Sequence, residues 1–107
     1  MDDIKELLKS HKCVVIKFTA TWCKPCKNSK PFIDNNLKSL DENVKYLEFD
    51  IDETLDLYGT LKSKRILNGI PSLVCYKNTN DTIYPDFCIS SSSENDINQF
   101  FNEVNKQ

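Results

Sequence analysis

Two cysteines three residues apart, in Trp22-Cys23-Lys24-Pro25-Cys26-Lys27, hold the plainest chemistry of this chain. Thiols at that spacing close into a small disulfide ring or open to a dithiol. The thiolate is the form that attacks another disulfide. The same pair is also half of a zinc site, or a purely structural crosslink. Cys13, Cys75 and Cys88 do not supply a second Cys-x-x-Cys, and the single histidine, His11, is poorly placed to complete a metal set. Five cysteines is an odd count, so a complete set of internal disulfides is excluded. In a reducing cytosol, where stable disulfides are rare, a Cys-x-x-Cys pair serves catalysis or metal binding before structure, and a strand–helix–strand setting favours redox chemistry. Cys13, Cys75 and Cys88 read as small core or strand residues.

The elements that must position the pair follow from hydrophobic spacing. Ile4, Leu7 and Leu8 mark one face of a short first helix. Residues 13–19 follow as a strand. Its run of consecutive apolar residues, including the β-branched Val14-Val15-Ile16, suits a strand covered on both faces. The cysteine motif lies in the turn beyond, and a helix runs from Lys24 to about Leu40 with Ile33, Leu37 and Leu40 on one face. Pro25 is tolerated in its first turn, and Pro31 is expected to kink it. Val44–Ile51 alternates as a second strand, making a βαβ unit that is expected to be parallel and right-handed. Asp52 is expected to cap a third helix, with Glu53 and Asp56 in its first turn and Leu55, Tyr58 and Leu61 on its face. Ser72–Lys77 and Thr82–Ile89 read as strands around a hairpin-type turn at Asn78–Asp81, with Pro85 placing the second at an edge or a bulge. Ser93-x-x-Asp96 reads as a capping box before a last helix that carries Ile97, Phe100, Phe101 and Val104. The order is α-β-α-β-α-β-β-α, one domain over 1–107.

Composition narrows the function. A chain of 107 residues with net charge −2 and mixed signs has no basic stripe for nucleic acid. Its start, Met1-Asp2-Asp3-Ile4-Lys5-Glu6-Leu7-Leu8, lacks the order of a secretory signal, and no run reaches membrane length. The expectation is a soluble, cytoplasmic monomer without cofactor or bound metal. Asn80-Asp81-Thr82 as a glycosylation pattern and the serines of 90–93 carry no functional reading.

At the start of a helix, Cys23 gains thiolate stabilisation from free backbone N–H groups, from the helix dipole and from Lys24 and Lys27. Cys26, one turn in, is placed to attack a mixed disulfide on Cys23. Cys23 is therefore the expected nucleophile and Cys26 the resolving thiol.

Trp-Cys-x-Pro-Cys-Lys after an apolar strand, Pro31 eight residues past Cys23, and Gly69-Ile70-Pro71-Ser72 leading into a strand together resemble the thioredoxin family over almost the whole chain. The resemblance implies the thioredoxin fold, a mixed sheet of about four strands flanked by helices. It implies a protein-disulfide reductase that carries electrons from a thioredoxin reductase to disulfide-containing proteins. It further implies that Pro71 is cis beside the cysteines, that it and Ile70 meet substrate backbone, and that Trp22, Lys24 and Pro25 border the groove. A glutaredoxin-like or isomerase activity, or a non-enzymatic binding module, stands as the alternative.

The chain also departs from the family. Lys17 stands where thioredoxins carry a buried aspartate six residues before the first cysteine. Glu48 stands where they carry the partner lysine. A lysine inside an apolar central strand is costly unless paired. The expectation is a Lys17–Glu48 ion pair beneath the site, with Glu48 relaying a proton to Cys26. The alternative is a Lys17 that extends to solvent along its stem. The family's glycine after the last strand is missing, with Phe87-Cys88-Ile89 in that region. The stretch from Asp52 to Pro71 is about four residues longer than the family pattern, a longer helix-to-strand connection.

Overall fold

The computed structural model describes residues 2–53 and 55–107. Its elements are α1 (Asp2–Leu8), β1 (Cys13–Thr19), α2 (Lys24–Leu37), β2 (Val44–Asp50), α3 (Leu55–Ser63), β3 (Ser72–Lys77), β4 (Phe87–Ser90) and α4 (Glu94–Asn105). The sheet order is β2-β1-β3-β4. β1 runs parallel to β2, and β3 runs antiparallel to both β1 and β4.

This order makes β1 a central strand, which explains its apolar run. Val14, Ile16 and Phe18 face α1 and α3, packing with Ile4, Leu8, Tyr58, Leu61, Val74 and Tyr76. Cys13 and Val15 face α2 and α4, packing with Ile33, Leu73, Cys75, Ile97, Phe100 and Phe101. Burying both faces of one strand gives a rigid platform whose C-terminal end, Thr19-Ala20, delivers the chain to the cysteine turn.

Several boundaries differ from the sequence reading, each for a local reason. α2 stops at Leu37 because the next turn is tighter, with the N–H groups of Lys38 and Ser39 both returning to the Asn36 carbonyl. Leu40 still packs against the core. Asp52 does not cap α3, which begins at Leu55, and Asp52 and Glu53 lie in the turn before it. The expected place of Leu55 on that helix face concerns a side chain outside the described residues. β4 covers Phe87–Ser90 rather than Thr82–Ile89. Residues 80–86 instead form a loop around Asn80, whose amide donates to the Tyr84 carbonyl and to Asp86 while its oxygen accepts from the Thr82 N–H. Pro85 thus precedes the edge strand instead of sitting in it. The capping box is half made. Ser93 Oγ accepts from the Asp96 N–H, but the Asp96 carboxylate takes the Ser91 hydroxyl.

The lengthened connection before β3 is ordered by the end of α3. The Ile66 N–H returns to the Leu61 carbonyl and the Arg65 N–H to that of Lys62, with Arg65 in the left-handed region at φ 63°. That is a Schellman-type end with an arginine where glycine is usual, and Ile66 packs with Leu61 in the same cluster. It aims residues 67–71 back toward the cysteines.

Candidate active site

Cys23 is the N-cap of α2, in extended conformation, and its sulfur accepts the Cys26 N–H at 3.2 Å. The first turn of a helix has backbone N–H groups without intrahelical partners, and a cysteine at the cap offers its sulfur to one. Pro25 falls in that first turn, where a missing N–H costs nothing. Cys26 comes one turn later, and the two cysteines are bonded to each other with Cα atoms 5.3 Å apart. Ala20, Ile51 and Ile70 pack around them.

The facing wall comes from the far end of the chain. The Ile70–Pro71 peptide bond is cis. The Ile70 carbonyl oxygen lies 3.8 Å from Cys23 Sγ. Pro25, Ile70, Pro71, Ser90, Ser91 and Ser92 line a shallow groove of about 280 Å³. Trp22 stands beside the site with 65% of its surface exposed, and its indole Nε1 donates to Asp52 Oδ2 at 2.9 Å. That bond is what Asp52 does instead of capping α3. Lys24 and Lys27 are exposed on the first turn of α2.

Lys17 and Glu48 are register partners on β1 and β2, so they share a face of the sheet. The expected contact ion pair is not made. Among the described residues Lys17 forms no salt bridge, and the Glu48 carboxylate accepts the Tyr46 hydroxyl at 2.8 Å. Lys17 is 3% exposed, yet no fully buried side-chain N or O lacks a hydrogen-bond partner among the described residues. The amine tip therefore reaches water along its buried stem. Burial pulls the Lys17 amine below its ordinary range, Glu48 pulls it partly back, and the exposed Lys30–Asp34 pair adds smaller opposing pushes. The registry of two parallel strands brought the charges near, but β2 is an edge strand, and both groups find a cheaper partner than each other.

The sequence reading put Phe87-Cys88-Ile89 in the region of the family's missing glycine. Phe87 and Ile89 pack into the α2–α4 core, and Ser90–Ser92 hold the groove position. It gave Asp52 a helix cap rather than the Trp22 bond, and it gave no role to Asn68, Ser72 or Ser90. The motif Gly-Ile-Pro-Ser was a usable signal for Ser72, but nothing in the sequence joins it to Ser90. Among the described residues no group of three or more His, Cys, Asp or Glu side chains is arranged for a metal ion, and no helix is long and apolar enough to cross a membrane.

The family model described as Thioredoxin matches residues 3–103. Thioredoxin of Rickettsia bellii is 36% identical over 74 residues, covering 69% of this chain and 67% of that protein. Thioredoxin of Equus caballus is 48% identical over 53 residues, half of each chain. The crystal structure of Plasmodium falciparum thioredoxin superposes with a TM-score of 0.69 at 25% identity, covering 96% of this chain and 80% of that one.

Proposed function

The chain belongs to the thioredoxin family, and on that premise we propose that Cys23 is the attacking and Cys26 the resolving thiol of a protein-disulfide reductase. A thiol–disulfide oxidoreductase of this family moves two electrons. The Cys23 thiolate attacks one sulfur of the substrate disulfide. A Cys23–substrate disulfide forms, and the other substrate sulfur leaves and takes up a proton. Cys26, losing its proton, attacks Cys23 Sγ and the second substrate thiol leaves, so the Cys23–Cys26 disulfide replaces the one broken in the substrate.

The observation that carries this assignment is the place of Cys23 Sγ, at a helix N-terminus with a backbone donor at 3.2 Å and the Ile70 carbonyl across from it. A donor and a dipole aimed at a developing thiolate favour it by about 1 kcal/mol or more. Cys26 lies inside the helix, where it has access to Cys23 but not that donor. Trp22, Lys24, Pro25, Ile70 and Pro71 border the sulfur and are the surface a substrate segment meets.

The test is reduction of insulin by dithiothreitol. The protein is expected to accelerate insulin precipitation, and Cys26→Ser to abolish the acceleration. A wild-type protein without effect refutes the reading. We assign electron supply to a thioredoxin reductase, checked by NADPH consumption in the presence of one. A monomer in a reducing compartment such as the cytoplasm fits the three free thiols Cys13, Cys75 and Cys88.

Lys17 and Glu48 act on the couple through charge, not contact. A cation beneath the site favours the thiolate and so the reduced form. Lys17→Asp is expected to lower the reduction potential by roughly 10–30 mV. No change, or a shift to a less reducing value, counts against it.

A further inference from the structure

Ser72 and Ser90 form a hydroxyl bridge whose direction the geometry fixes. Ser72 Oγ donates to the Gly69 carbonyl. A hydroxyl has one proton, so the 2.8 Å contact between the two serines must be Ser90 donating to Ser72. Ser90 Oγ in turn accepts the Asn68 N–H at 3.0 Å. One chain of hydrogen bonds thus runs Asn68 N–H, Ser90, Ser72, Gly69 carbonyl, with every donor in it used. Ser72 is fully buried at the start of β3, and Ser90 ends the neighbouring strand β4, where the register pairs the two residues.

The bridge holds the backbone at Asn68–Gly69 and again at Ser72. The two residues between those points are Ile70 and Pro71, which carry the carbonyl 3.8 Å from Cys23 Sγ and the cis peptide bond. Ser90 also lines the groove, beside Ile70 and Pro71.

We propose that Ser90 and Ser72 are positioning residues that pre-set the Ile70–Pro71 backbone for extended segments of protein disulfides, so that the site favours protein substrates over small disulfides. This rests on the reductase reading. A protein substrate lies along Ile70–Pro71 and gains from a backbone already in place. A small disulfide reaches Cys23 without using that backbone, so the bridge gives it little.

The experiment compares insulin with the small aromatic disulfide DTNB, using wild type, Ser90→Ala, Ser90→Thr and Ser72→Ala. Ser90→Ala is expected to raise KM for insulin about fivefold, the worth of one lost hydrogen bond, with kcat falling less than twofold and the DTNB rate changing least. Ser90→Thr keeps the hydroxyl and is expected to restore the insulin KM to within about twofold of wild type. An insulin KM unmoved by Ser90→Ala overturns the proposal, as does an equal fall on both substrates. If Ser90→Ala does not fold, Ser72→Ala is read by the same criteria. Amide hydrogen exchange gives a readout independent of turnover. The Asn68 N–H is expected to exchange about tenfold slower than in an unstructured peptide, and free exchange there overturns the bridge. A wild type inactive on insulin and DTNB sinks the reductase reading, while the exchange rate still judges the bridge.

Discussion

This protein holds two pairs of neighbouring cysteines, and only one is built to react. Cys23 and Cys26 stand at the strand-to-helix turn. Cys13 and Cys75 lie on β1 and β3, where the register pairs Cys13 with Lys77 and Val15 with Cys75, so the two thiols are diagonal neighbours on the face covered by α2 and α4. Exposure alone does not separate the pairs, since Cys23 is 4% exposed and Cys13 and Cys75 are 0%. The difference lies in what surrounds the sulfur. Burial pushes the Cys13 thiol up and the Cys75 thiol well up, and their mutual hydrogen bond raises Cys75 further. Cys23 has a backbone N–H directed at its sulfur and a groove alongside. A thiolate forms where donors wait for it, whatever the fraction of surface hidden.

The largest expected effect comes from substitution. Cys23→Ser or Cys26→Ser is expected to cut insulin reduction at least a hundredfold, since either removes a sulfur that must bond in the cycle. Cys75→Ala is expected to keep activity within about twofold while costing roughly 1–2 kcal/mol in urea unfolding, the loss of a buried sulfur from a packed core. A Cys75→Ala protein that folds well but loses turnover would break the distinction between the pairs.

Alkylation sharpens it next. In the reduced protein at neutral pH, iodoacetamide followed by peptide mapping is expected to label Cys23 on the order of a hundred times faster than Cys13 or Cys75. Comparable labelling of Cys13 would mean that the core opens more easily than its packing implies.

The smallest effect concerns pH, and here the buried groups differ in sign. The Cys13 and Cys75 thiols stay protonated in the fold above the ordinary value of 9.0, so stability falls as pH rises past 9.0 and the unfolded thiols ionise first. Lys17 is opposite. Its native value lies below the ordinary 10.5, so the unfolded chain holds that proton longer and stability rises with pH between the two. Lys17→Met is therefore expected to stabilise the protein by roughly 1 kcal/mol near pH 7, with the gain shrinking toward pH 10.5. A gain that is flat across that range would show that Lys17 carries no shifted proton.

Much of the site was legible because it is local. Cys23 and Cys26 sit within one helical turn, and Gly69-Ile70-Pro71-Ser72 announces its own turn. β1 declared itself central through an apolar run on both faces. What stayed hidden depends on partners that only the register supplies. Ser90 meets Ser72 and Asn68 because β4 lies against β3. Its place in a serine-rich run made it look compositional. Cys13 and Cys75 meet through a two-residue offset that no spacing rule reveals. The sequence suggested a Lys17–Glu48 pair, and strand registry does bring the two together. It could not show that Tyr46 takes the carboxylate and that the amine has an exit to water.

In the proposed cycle Cys23, and not Cys26, makes the first bond to substrate. The direct measurement is trapping. Reduced Cys26→Ser and Cys23→Ser proteins are each mixed with insulin, quenched with acid and mapped by mass spectrometry. A lasting disulfide between Cys23 and an insulin cysteine is expected in the first protein, with no comparable adduct in the second. An adduct on Cys26 that forms as fast as that on Cys23, or none on Cys23, would contradict it.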